Sequence, residues 1–582
     1  MSENHAAGTE FCLPPFDRDF LSSENNFSVI GEGEIGGKAH GLALVTKMLA
    51  ESGVAEEFRG IQIEVPRLTV ITTDFFDRFM EKNNLYDIAL SDETDERIAH
   101  EFQKAELPAM LVGDLYALIN RQHEPLAIRS SSLLEDAKHE PFAGIYATKM
   151  IPNNQSDAKK RFQKLVEAIK FVYASAFFKA AKEYMFSTGH DLRSEKMAVI
   201  IQEVVGRTRN KRFYPNLAGV ARSYNYYAFG KAKPEDGVVS LALGLGRIIV
   251  DEGVSWSYCP RMPRANPPFS SISQLMKDTQ VSLWAVDMAE TSHYDPSRET
   301  EYMVKCDLAD AEYDDTLRQI CSTYDGASDR LVMGANIIGP RVINFSPILQ
   351  ANVYPLNKMI QRLMKLAEEM VGSEVEIEFA MNFREGDQPA RFGFLQVRPM
   401  VVCGETVEVA PEDLSGDNVL VSSQHVLGNG EVPFLKDVVY VRPEVFDAKH
   451  TPVIAQQLAD VNRGMINSKT PYLLIGFGRW GSSDPWLGIP VTWGQISAAK
   501  VMVEATLENM NVELSQGSHF FHNISSFQVS YFSTRHHDKH IDWEWLDAQP
   551  AVSETEFVRH VKLPCCLMVR VDGRYGRGVI TR

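Results

Sequence analysis

The sequence predicts a mixed α/β protein built from layers of helices and sheets. Residues 61–73 alternate between apolar and polar side chains, as an extended strand does. Residues 39–49 instead carry apolar side chains at the spacing of one helix face, directly after a Gly-rich turn. Met197–Ile201 is an unbroken apolar run, which is typical of a buried strand. Because such strands and helices alternate through residue 400, the pattern favours α/β or α+β layers.

Length and charge limit the classes of protein that fit this chain. Its 582 residues allow roughly three to five domain-sized units. A hydrophobic content of 44% and a charged content of 23% exclude a disordered or collagen-like chain. The net charge is −18, with 59 Lys and Arg against 77 Asp and Glu. So acidic a chain is a poor candidate for binding nucleic acid or an anionic membrane surface, since both need clustered cations. An anionic small substrate would need a local basic pocket.

Cysteine usage and the N-terminus indicate a compartment. The seven cysteines include no Cys-x-x-Cys pair, so the usual structural zinc spacing is absent. Adjacent Cys565 and Cys566 lie in an apolar stretch, where we expect them to pack as small core residues. The first twenty residues lack the pattern of a secretory signal, and no apolar run reaches the roughly 18 residues of a membrane span. We therefore expect a cytoplasmic protein with no membrane association.

Composition also suggests where the chain divides. Residues 1–30 are polar and irregular, which predicts an N-terminal arm. Residues 156–186 are rich in Lys and aromatic residues and predict one long helix. Residues 403–416 are acidic and contain Pro and Gly, which predicts a linker. The remaining residues 417–582 differ in composition, with three of the seven Trp residues between positions 480 and 493. They predict a separate C-terminal α/β domain of unknown role.

The first candidate site is the turn Gly36-Gly37-Lys38, which opens a predicted helix. Glycines let a backbone approach an anion closely, and the N–H groups of a helix N-terminus point at such an anion. A lysine at this place adds a mobile positive charge. The spacing is not that of a P-loop. Because a Gly-Gly pair before a helix is also an ordinary turn, the motif alone does not decide between the two interpretations.

The second candidate site follows a short predicted strand, 125–130, which delivers Arg129 into a run of three serines. Glu135 and Asp136 come directly after this run. The planar guanidinium of arginine suits phosphate recognition, and the serines offer hydroxyl and backbone donors. The alternative is a Ser-rich turn that caps a helix, with Arg129 in a salt bridge.

The third candidate site lies on two strand-like runs separated by a turn. Alternation places Glu376 and Glu378 on one face of the first strand, and Gln396 and Arg398 on one face of the second. If the strands pair, two carboxylates lie near an amide and a guanidinium. Oxygen ligands of this kind suit Mg²⁺, which usually also keeps waters and phosphates. The alternative is a cross-strand Glu–Arg ion pair on a solvated face.

In this order, the three motifs resemble a known family. Residues 30–402 resemble the N-terminal nucleotide-binding domain of phosphoenolpyruvate synthase and pyruvate phosphate dikinase, which also occurs in glucan water dikinases and rifampicin phosphotransferases. The segments that match the family pattern are Gly36-Gly37-Lys38, Ile128-Arg129-Ser130-Ser131, Glu135-Asp136, Phe142-Ala143-Gly144, Val199–Gln202, Gly244-Leu245-Gly246, Glu376–Phe379 and Leu395–Pro399.

The resemblance implies an ATP-grasp-like fold in which ATP lies between two lobes, residues 31–200 and residues 201–402, the second with the metal-binding strands. Lys38 and Arg129 would contact the phosphates. The residues that the resemblance assigns to nucleotide binding are Gly36, Gly37, Lys38, Arg129, Ser130, Gln202, Val204, Glu376, Gln396 and Arg398.

The resemblance also implies individual roles within this set. Gln202 and Val204 would hold the adenine at a hinge strand, through backbone groups of the strand edge. Glu378, together with Gln396, would carry Mg²⁺. Arg398 would stabilise charge on the transferring group. These roles agree with the physical demands of phosphoryl transfer, which needs positioning and charge neutralisation by metal and cations.

In this family ATP is split into AMP and phosphate, and the β-phosphoryl group passes to a histidine on a separate swivelling domain. The family's Thr-x-x-Gly-Gly-x-Thr-x-His-x-Ala pattern is not found here. The nearest string begins at Thr492 and has Ala498 about where the histidine would be. Because only about 180 residues follow the predicted linker, we also do not expect the family's pyruvate-binding barrel domain within residues 417–582. Neither phosphoenolpyruvate synthase nor pyruvate phosphate dikinase activity can therefore be inferred.

The C-terminal part offers two candidate positions for the acceptor. Arg479 follows a predicted strand in a Gly- and Ser-rich stretch that could bind an anion, with Trp480 or Trp486 as a stacking wall. His519 could accept a phosphoryl group, because neutral imidazole is a competent nucleophile. The alternative is that the glycines and tryptophans build a tight core turn and that the histidine is structural.

The leading hypothesis is an ATP- and Mg²⁺-dependent phosphotransferase of the dikinase type. Its reacting residues would be Lys38, Arg129, Arg398, Arg479 and His519, and its acceptor a histidine or an unidentified small molecule. One alternative is an ATP-binding sensor module without turnover, and another is a one-step kinase that gives ADP. A homo-oligomer, or a partner protein that carries the acceptor histidine, fits the same scheme.

Overall fold

The computed structural model describes residues 13–18, 26–135, 144–225, 231–252, 254–264, 272–277, 279–289, 294–400, 407–482, 484, 486–508, 510, 524, 527–536 and 541–582. Within these residues the fold is mixed α/β, with several mixed sheets, which confirms the predicted fold class. Much of the predicted arm, as well as Asp136 and His519, lies outside the described residues.

The helices of the described part vary from one turn to five turns. None of them combines the length and the apolar character that crossing a bilayer would require. Their bounds are Gly36–Ser52, Val54–Glu57, Thr73–Lys82, Tyr86–Ala89, Asp95–Lys104, Ala109–Arg121, Ala158–Ser175, Lys179–Thr188, Ile272–Lys277, Leu308–Tyr313, Ser346–Leu349, Leu356–Val371, Thr451–Asn467 and Trp543–Asp547.

A five-stranded sheet forms the first layer. In spatial order its strands are Phe27–Ile30, Leu68–Ile71, Met197–Glu203, Leu126–Ser132 and Thr148–Ile151. The first pair is parallel and the other pairs are antiparallel. The predicted apolar run Met197–Ile201 lies within the strand Met197–Glu203, which is at the centre of this sheet and is buried almost throughout. This sheet carries Arg129 and Gln202.

A six-stranded sheet forms the second layer. In spatial order its strands are Trp256–Tyr258, Val238–Ala242, Leu217–Arg222, Val375–Asn382, Ala390–Pro399 and Ile61–Glu64. The predicted pair of strands is antiparallel, with Glu376 opposite Arg398 and Glu378 opposite Gln396. Alternation therefore placed the two carboxylates correctly beside the amide and the guanidinium.

Two smaller sheets complete the first four hundred residues. One has the strands Met303–Asp307, Ser282–Asp287, Arg212–Tyr214 and Arg207–Arg209, in spatial order. The other has the strands Arg330–Met333, Cys321–Asp325 and Arg341–Ile343.

The two predicted lobes are interleaved along the chain. Residues 61–73 do not form one strand, because Pro66 lacks the N–H that a continuing ladder needs. The chain breaks there into Ile61–Glu64, which extends the six-stranded sheet, and Leu68–Ile71, which enters the five-stranded sheet. The lobe boundary at residue 200 also falls within the strand Met197–Glu203. The lobes thus share segments of the chain instead of following one another.

The C-terminal region is a sheet of nine strands that closes on itself. In spatial order the strands are Val419–Ser423, Arg577–Thr581, Val558–Asp572, Asn429–Val441, Tyr472–Phe477, Ala499–Ala505, Ser530–Thr534 and Val426–Leu427, with Ala551–Glu554 beside Val558–Asp572. The first and last of the ordered strands are consecutive in the chain, and the Ser423 hydroxyl donates to the Ser533 carbonyl across the closing edge. We call this closed sheet the C-terminal barrel.

Two further short ladder segments, Arg479–Trp480 and Gly488–Ile489, pair in parallel beside the barrel. The predicted linker is packed against the barrel where it is described. Val409 is fully buried, its N–H donates to Asp572 Oδ2, and Arg570 forms an ion pair with Asp413 at 2.7 Å.

Two expectations about local structure were wrong. The predicted helix 156–186 is two helices, Ala158–Ser175 and Lys179–Thr188. The break lets Phe177 pack on Phe76 and Phe102, with ring centroids 6.2 and 5.9 Å apart, so tertiary packing overrides helix propensity. Cys565 and Cys566 are exposed and do not lie in the core.

Candidate functional site

A cavity of about 520 Å³ lies between the five-stranded and the six-stranded sheets. We call it the intersheet cavity. Seven of the residues predicted from the sequence line it, namely Lys38, Arg129, Gln202, Val204, Glu378, Gln396 and Arg398. Four other predicted residues do not line the cavity and lie behind the side chains that do. They are Gly36, Gly37, Ser130 and Glu376. The three motifs, distant in sequence, therefore meet at one place.

The Gly-rich turn is shaped by contact with the chain itself. Gly36 has a φ of 76°, and a Cβ atom on it would lie 1.9 Å from the Ser131 carbonyl oxygen. A Cβ atom on Gly37 would lie 1.7 Å from the Glu135 carbonyl oxygen. The Ser131 hydroxyl accepts from the Ala39 N–H at 3.0 Å, so one N-terminal donor of the helix is already used. The glycines allow the serine run to pack on the helix start, which sets the position of Lys38.

Lys38 is held by a buried carboxylate. Its Nζ lies 2.6 Å from Glu135 Oε1 and 3.5 Å from the Ser130 hydroxyl. Glu135 also accepts from the Ser130 hydroxyl and from the Ser132 N–H, at 3.1 and 3.2 Å. Lys38 and Glu135 are only 7% and 3% exposed, so the pair needs these further hydrogen bonds to offset desolvation. Ser130 thus supports the pair from behind.

Arg129 joins the two sheets across the intersheet cavity. Its guanidinium donates to Gln202 Oε1 at 3.1 Å within the five-stranded sheet. It also donates to the Leu395 carbonyl at 2.7 Å and to Gln396 Oε1 at 2.8 Å in the six-stranded sheet. Glu378 Oε2 lies 4.0 Å away. Arg129 is therefore fixed in the cavity wall, where a long ion pair with Glu378 accompanies its hydrogen bonds to both sheets.

The two strand carboxylates form a buried network with arginines. Glu376 pairs with Arg222 at 2.5 Å and with Arg398 at 3.3 Å, and Glu378 pairs with Arg398 and faces Arg129. The predicted cross-strand ion pair therefore exists, but it does not lie on a solvated face. Arg398 and Glu376 are only 2% and 5% exposed.

The hinge strand presents one amide without a partner. A guanidinium can only donate hydrogen bonds, so the atom of the Gln202 amide that accepts from Arg129 must be the oxygen, Oε1. The amide nitrogen, Nε2, therefore occupies the other position of the amide group. Nε2 is buried and has no hydrogen-bond partner within the described part of the chain. The Val204 N–H donates to the Pro125 carbonyl at 2.9 Å, so of its two backbone groups the carbonyl remains for a ligand.

The intersheet cavity contains a fourth cation, Arg247, which was not predicted from the sequence. Arg247 lies 3.6 Å from Glu299 and stacks over Trp284 at 5.6 Å. It follows the turn at Gly244, whose φ of 85° needs a glycine. The Gly-Leu-Gly segment could have indicated Arg247, because a basic residue that directly follows this turn is carried with it to the intersheet cavity.

The charges that line the intersheet cavity balance. Among the described lining residues, four are cationic and four are anionic; they are Lys38, Arg129, Arg247 and Arg398 against Glu135, Glu203, Glu299 and Glu378. A polyphosphate would therefore meet cations that already have carboxylate partners. Compensating its charge requires an additional cation or the opening of ion pairs.

The residues that could hold a metal are oxygen donors on neighbouring strands. Glu378 supplies a carboxylate and Gln396 an amide oxygen, and they lie opposite each other in the ladder. No cluster of three or more His, Cys, Asp or Glu with metal-site geometry occurs in the described residues. Two oxygen donors suit Mg²⁺, which binds through one or two carboxylates plus phosphates and waters and seldom in a protein cage.

Glu195 is a titratable group next to this site. It is 3% exposed, and burial raises its pKa to about 7, while hydrogen bonds with Ser132 and Tyr146 act in the opposite direction. The charge of Glu135 adds to the rise in pKa. Tyr146 itself lines the intersheet cavity, and burial raises its pKa well above the ordinary value.

The C-terminal candidates have different outcomes. Trp480 cannot be a stacking wall, because it is 1% exposed, packs over Gly476 and donates its indole N–H to the Val503 carbonyl. Trp486 is 71% exposed. Arg479 lies in the short parallel ladder beside the barrel, where its N–H donates to the Leu487 carbonyl at 2.9 Å. His519 lies outside the described residues.

The comparison with known families agrees with this geometry. A family model described as pyruvate phosphate dikinase, AMP/ATP-binding domain, matches residues 32–417, which is more than half of the chain. The matched range contains the six-stranded sheet, all strands of the five-stranded sheet except Phe27–Ile30, and every residue described above as lining the intersheet cavity. The chain therefore belongs to the pyruvate phosphate dikinase family, as a protein that carries the AMP/ATP-binding domain of that family.

Proposed function

We propose that this protein is an ATP- and Mg²⁺-dependent phosphotransferase of the dikinase type. It would convert ATP to AMP and phosphate and pass a phosphoryl group to a histidine or another acceptor. The observation that carries the proposal is that Lys38, Arg129 and Arg398, which come from three separate motifs, line one cavity of about 520 Å³. That volume is within the usual range of small-molecule sites. The family model supports a nucleotide as the ligand.

In this proposal the adenine occupies the hinge end of the intersheet cavity. The partnerless Nε2 of Gln202 would donate to a ring nitrogen, and the Val204 carbonyl would accept from the exocyclic amino group. A buried amide without a partner is costly, so a ligand that supplies an acceptor gains affinity by satisfying it. This is the strongest local argument that the cavity takes a hydrogen-bonding ligand.

Lys38 and Arg129 would bind the phosphates. Glu135 holds the first, and Gln202 with Gln396 holds the second, so both cations are in place before the ligand arrives. Charges that are already oriented cost little reorganisation during the reaction, which makes them effective in phosphoryl transfer.

Glu378 and Gln396 would hold Mg²⁺. When bound, this ion neutralises phosphate charge and orients the phosphate oxygens. The equal numbers of cations and carboxylates in the cavity lining support this assignment, since the protein alone has no net positive charge to offer there. Arg398, positioned by Glu376 and Glu378, would stabilise negative charge on the transferring group.

The reaction products test the proposal directly. The purified protein is incubated with ATP and Mg²⁺, and the nucleotides are followed by phosphorus NMR. We expect AMP and phosphate, and we expect neither in the Lys38→Ala variant. Lys47→Ala is the matched control, because Lys47 is a part-exposed cation on the same helix outside the intersheet cavity. Acid-labile phosphate on the protein, measured by mass spectrometry and lost in His519→Ala, would identify His519 as the acceptor.

The same experiment separates the other candidates. ADP as the only nucleotide product would contradict the dikinase reaction and indicate a one-step kinase. Tight binding of ATP without any product would indicate the sensor module. One contact favours the sensor module: Arg129 bridges the two sheets. A nucleotide that competed for its guanidinium would loosen one sheet from the other.

A further inference from the structure

The C-terminal barrel has an apolar interior and one open end. Four neighbouring strands run parallel, namely Asn429–Val441, Tyr472–Phe477, Ala499–Ala505 and Ser530–Thr534. Their inward side chains alternate with outward ones and fill the interior with buried apolar groups, among them Val438, Tyr440, Leu473, Ile475, Val501, Val503 and Phe532. All four strands end at the same rim of the barrel, since they are parallel.

A second cavity lies at this rim, with a volume of about 860 Å³. We call it the barrel-mouth cavity. Its floor is formed by Phe477, Ala505 and Thr534, which are the last inward positions of three of the strands. The buried apolar side chains that fill the barrel interior end at this floor. Mouths of barrels and the carboxyl ends of parallel strands are recurrent places for ligand sites, because the loops that follow the strands converge on one space.

The far wall of the barrel-mouth cavity is fixed to the barrel by ordered contacts. The Asp542 N–H donates to the Leu420 carbonyl at 3.0 Å, and the Asp542 carboxylate pairs with Arg582 and accepts from the Trp545 N–H. Trp543 packs its ring against Phe477, with the centroids 5.7 Å apart. The cavity is thus enclosed by an aromatic pair on one side, so a flat apolar group fits against it.

The polar lining of the barrel-mouth cavity suggests the charge of its ligand. Arg535 follows the strand Ser530–Thr534 and has neither a hydrogen bond nor an ion pair with any residue that the structure describes. His536 comes next, and its N–H donates to the Thr506 hydroxyl at 3.0 Å, which orders the rim. Two carboxylates also line this cavity: that of Asp542 is neutralised by Arg582, and that of Glu544 is exposed to solvent at the rim. Arg535 is thus an exposed guanidinium at the rim of a cavity with an aromatic wall, and such a group suits a carboxylate or a phosphate.

We infer that the barrel-mouth cavity binds a small organic anion whose apolar body packs against the Phe477–Trp543 pair and whose carboxylate or phosphate group pairs with Arg535. This site is separate from the intersheet cavity, and the inference does not depend on the proposed function of that cavity.

Ligand-observed saturation-transfer NMR on the full chain tests this site. The probes are benzoate, phenyl phosphate and the uncharged benzyl alcohol. We expect at least one of the two anions to bind about tenfold more tightly than benzyl alcohol, since a charge-assisted hydrogen bond contributes at that level. The tighter of the two anions identifies whether the site prefers a carboxylate or a phosphate.

Three variants locate the binding. Arg535→Gln should weaken binding of the preferred anion about tenfold and leave binding of benzyl alcohol unchanged. Ala505→Leu places a larger side chain on the cavity floor and should weaken all probes. Lys436→Gln is the matched control, because it removes an exposed cation from the same barrel away from the cavity, and it should change nothing.

Three outcomes would overturn the inference. They are the absence of anion binding to the unaltered protein, equal affinity for benzyl alcohol and the anions, and anion affinity that neither Arg535→Gln nor Ala505→Leu changes. ATP binding, measured on the same variants by calorimetry, should remain as in the unaltered protein. A loss of nucleotide binding or turnover in Lys38→Ala alone would bear on the proposed function of the intersheet cavity. It would say nothing against anion binding at the barrel-mouth cavity.

Discussion

The intersheet cavity and the barrel-mouth cavity differ in how their charges are held. In the intersheet cavity each of Lys38, Arg129 and Arg398 has a carboxylate or amide partner, and the wall carries as many negative as positive charges. At the barrel mouth, Arg535 has no such partner among the described residues. The first arrangement would suit a ligand that brings its own cation, as proposed for ATP with Mg²⁺. The second would suit a ligand that carries a negative charge itself, as inferred for the barrel-mouth cavity.

The largest effect that we expect is on turnover in the intersheet cavity. Arg398→Lys keeps the charge but loses the planar fork that contacts Glu376 and Glu378. If Arg398 stabilises the transferring group, turnover should fall by about 10³-fold, since arginines in that role contribute at this level. AMP formation measured by phosphorus NMR checks the prediction. Turnover within threefold of that of the unaltered protein would remove Arg398 from the proposed role.

A second prediction concerns stability in the C-terminal region. Trp480→Ala should destabilise the fold by about 4 kcal/mol, because a fully buried indole leaves a large cavity and an unmade hydrogen bond to Val503. Trp486→Ala is the matched control, since Trp486 is 71% exposed and its loss should change little. Thermal melting of the two variants makes the comparison. Equal melting temperatures would contradict the core role of Trp480.

A third prediction compares two glycines, one in each region. Gly37→Ala should destabilise by about 3 kcal/mol, because the new Cβ would lie 1.7 Å from the Glu135 carbonyl oxygen and the backbone must shift. Gly464→Ala, inside the helix Thr451–Asn467, meets nothing within 4 Å and should stabilise by roughly 0.5–1 kcal/mol. Urea unfolding of both variants checks the opposite signs. Gly37→Ala without loss of stability would show that the serine run does not need this close approach.

The last effect that we predict is a pH dependence near the intersheet cavity. The folded-state pKa of Glu195, raised by burial to about 7, lies above its ordinary value of 4.5. The folded protein therefore holds this proton where the unfolded chain releases it, so stability is full below about pH 4.5 and is lost as pH rises to about 7.

Glu195→Gln removes this dependence, because the amide cannot ionise and can keep the hydrogen bonds. Between about pH 5.5 and pH 8.5 the unaltered protein should lose roughly 2 kcal/mol relative to the variant. Thermal melting at the two pH values is the measurement. A constant difference between the two proteins across this range would show that Glu195 stays ionised when folded.

Much of the intersheet cavity could be predicted from short-range patterns. Alternation was enough to place Glu376 and Glu378 on one face of a strand and Gln396 and Arg398 on one face of the next, because the side-chain period of a strand is fixed by its geometry. The register that sets Glu378 opposite Gln396 came from the structure. The motif of Gly36 and Gly37 also predicted a close backbone approach, although the partner is the serine run and not a ligand. The roles of these residues toward ATP and Mg²⁺ stay predictions.

Other features depended on contacts between distant segments. The division of residues 61–73 between two sheets, the break of the long helix at Phe177 and the exposure of Cys565 were not predicted. Arg247 was missed for a similar reason, since its place in the cavity wall depends on Glu299 and Trp284. Local patterns report the period and polarity of a segment, but they do not report which surface it packs against.

The sequence by itself determined the fold class, the family of the first two thirds of the chain and seven of the residues that meet in the intersheet cavity. These depend on periodicity and on motifs, which are properties of the chain read in order. Only the tertiary structure decided that the cations of this cavity are neutralised and that the C-terminal strands close into a barrel with an open mouth. Ion pairing and barrel closure join residues far apart in the chain, such as Arg129 with Leu395 and Ser423 with Ser533, and those distances are set by packing.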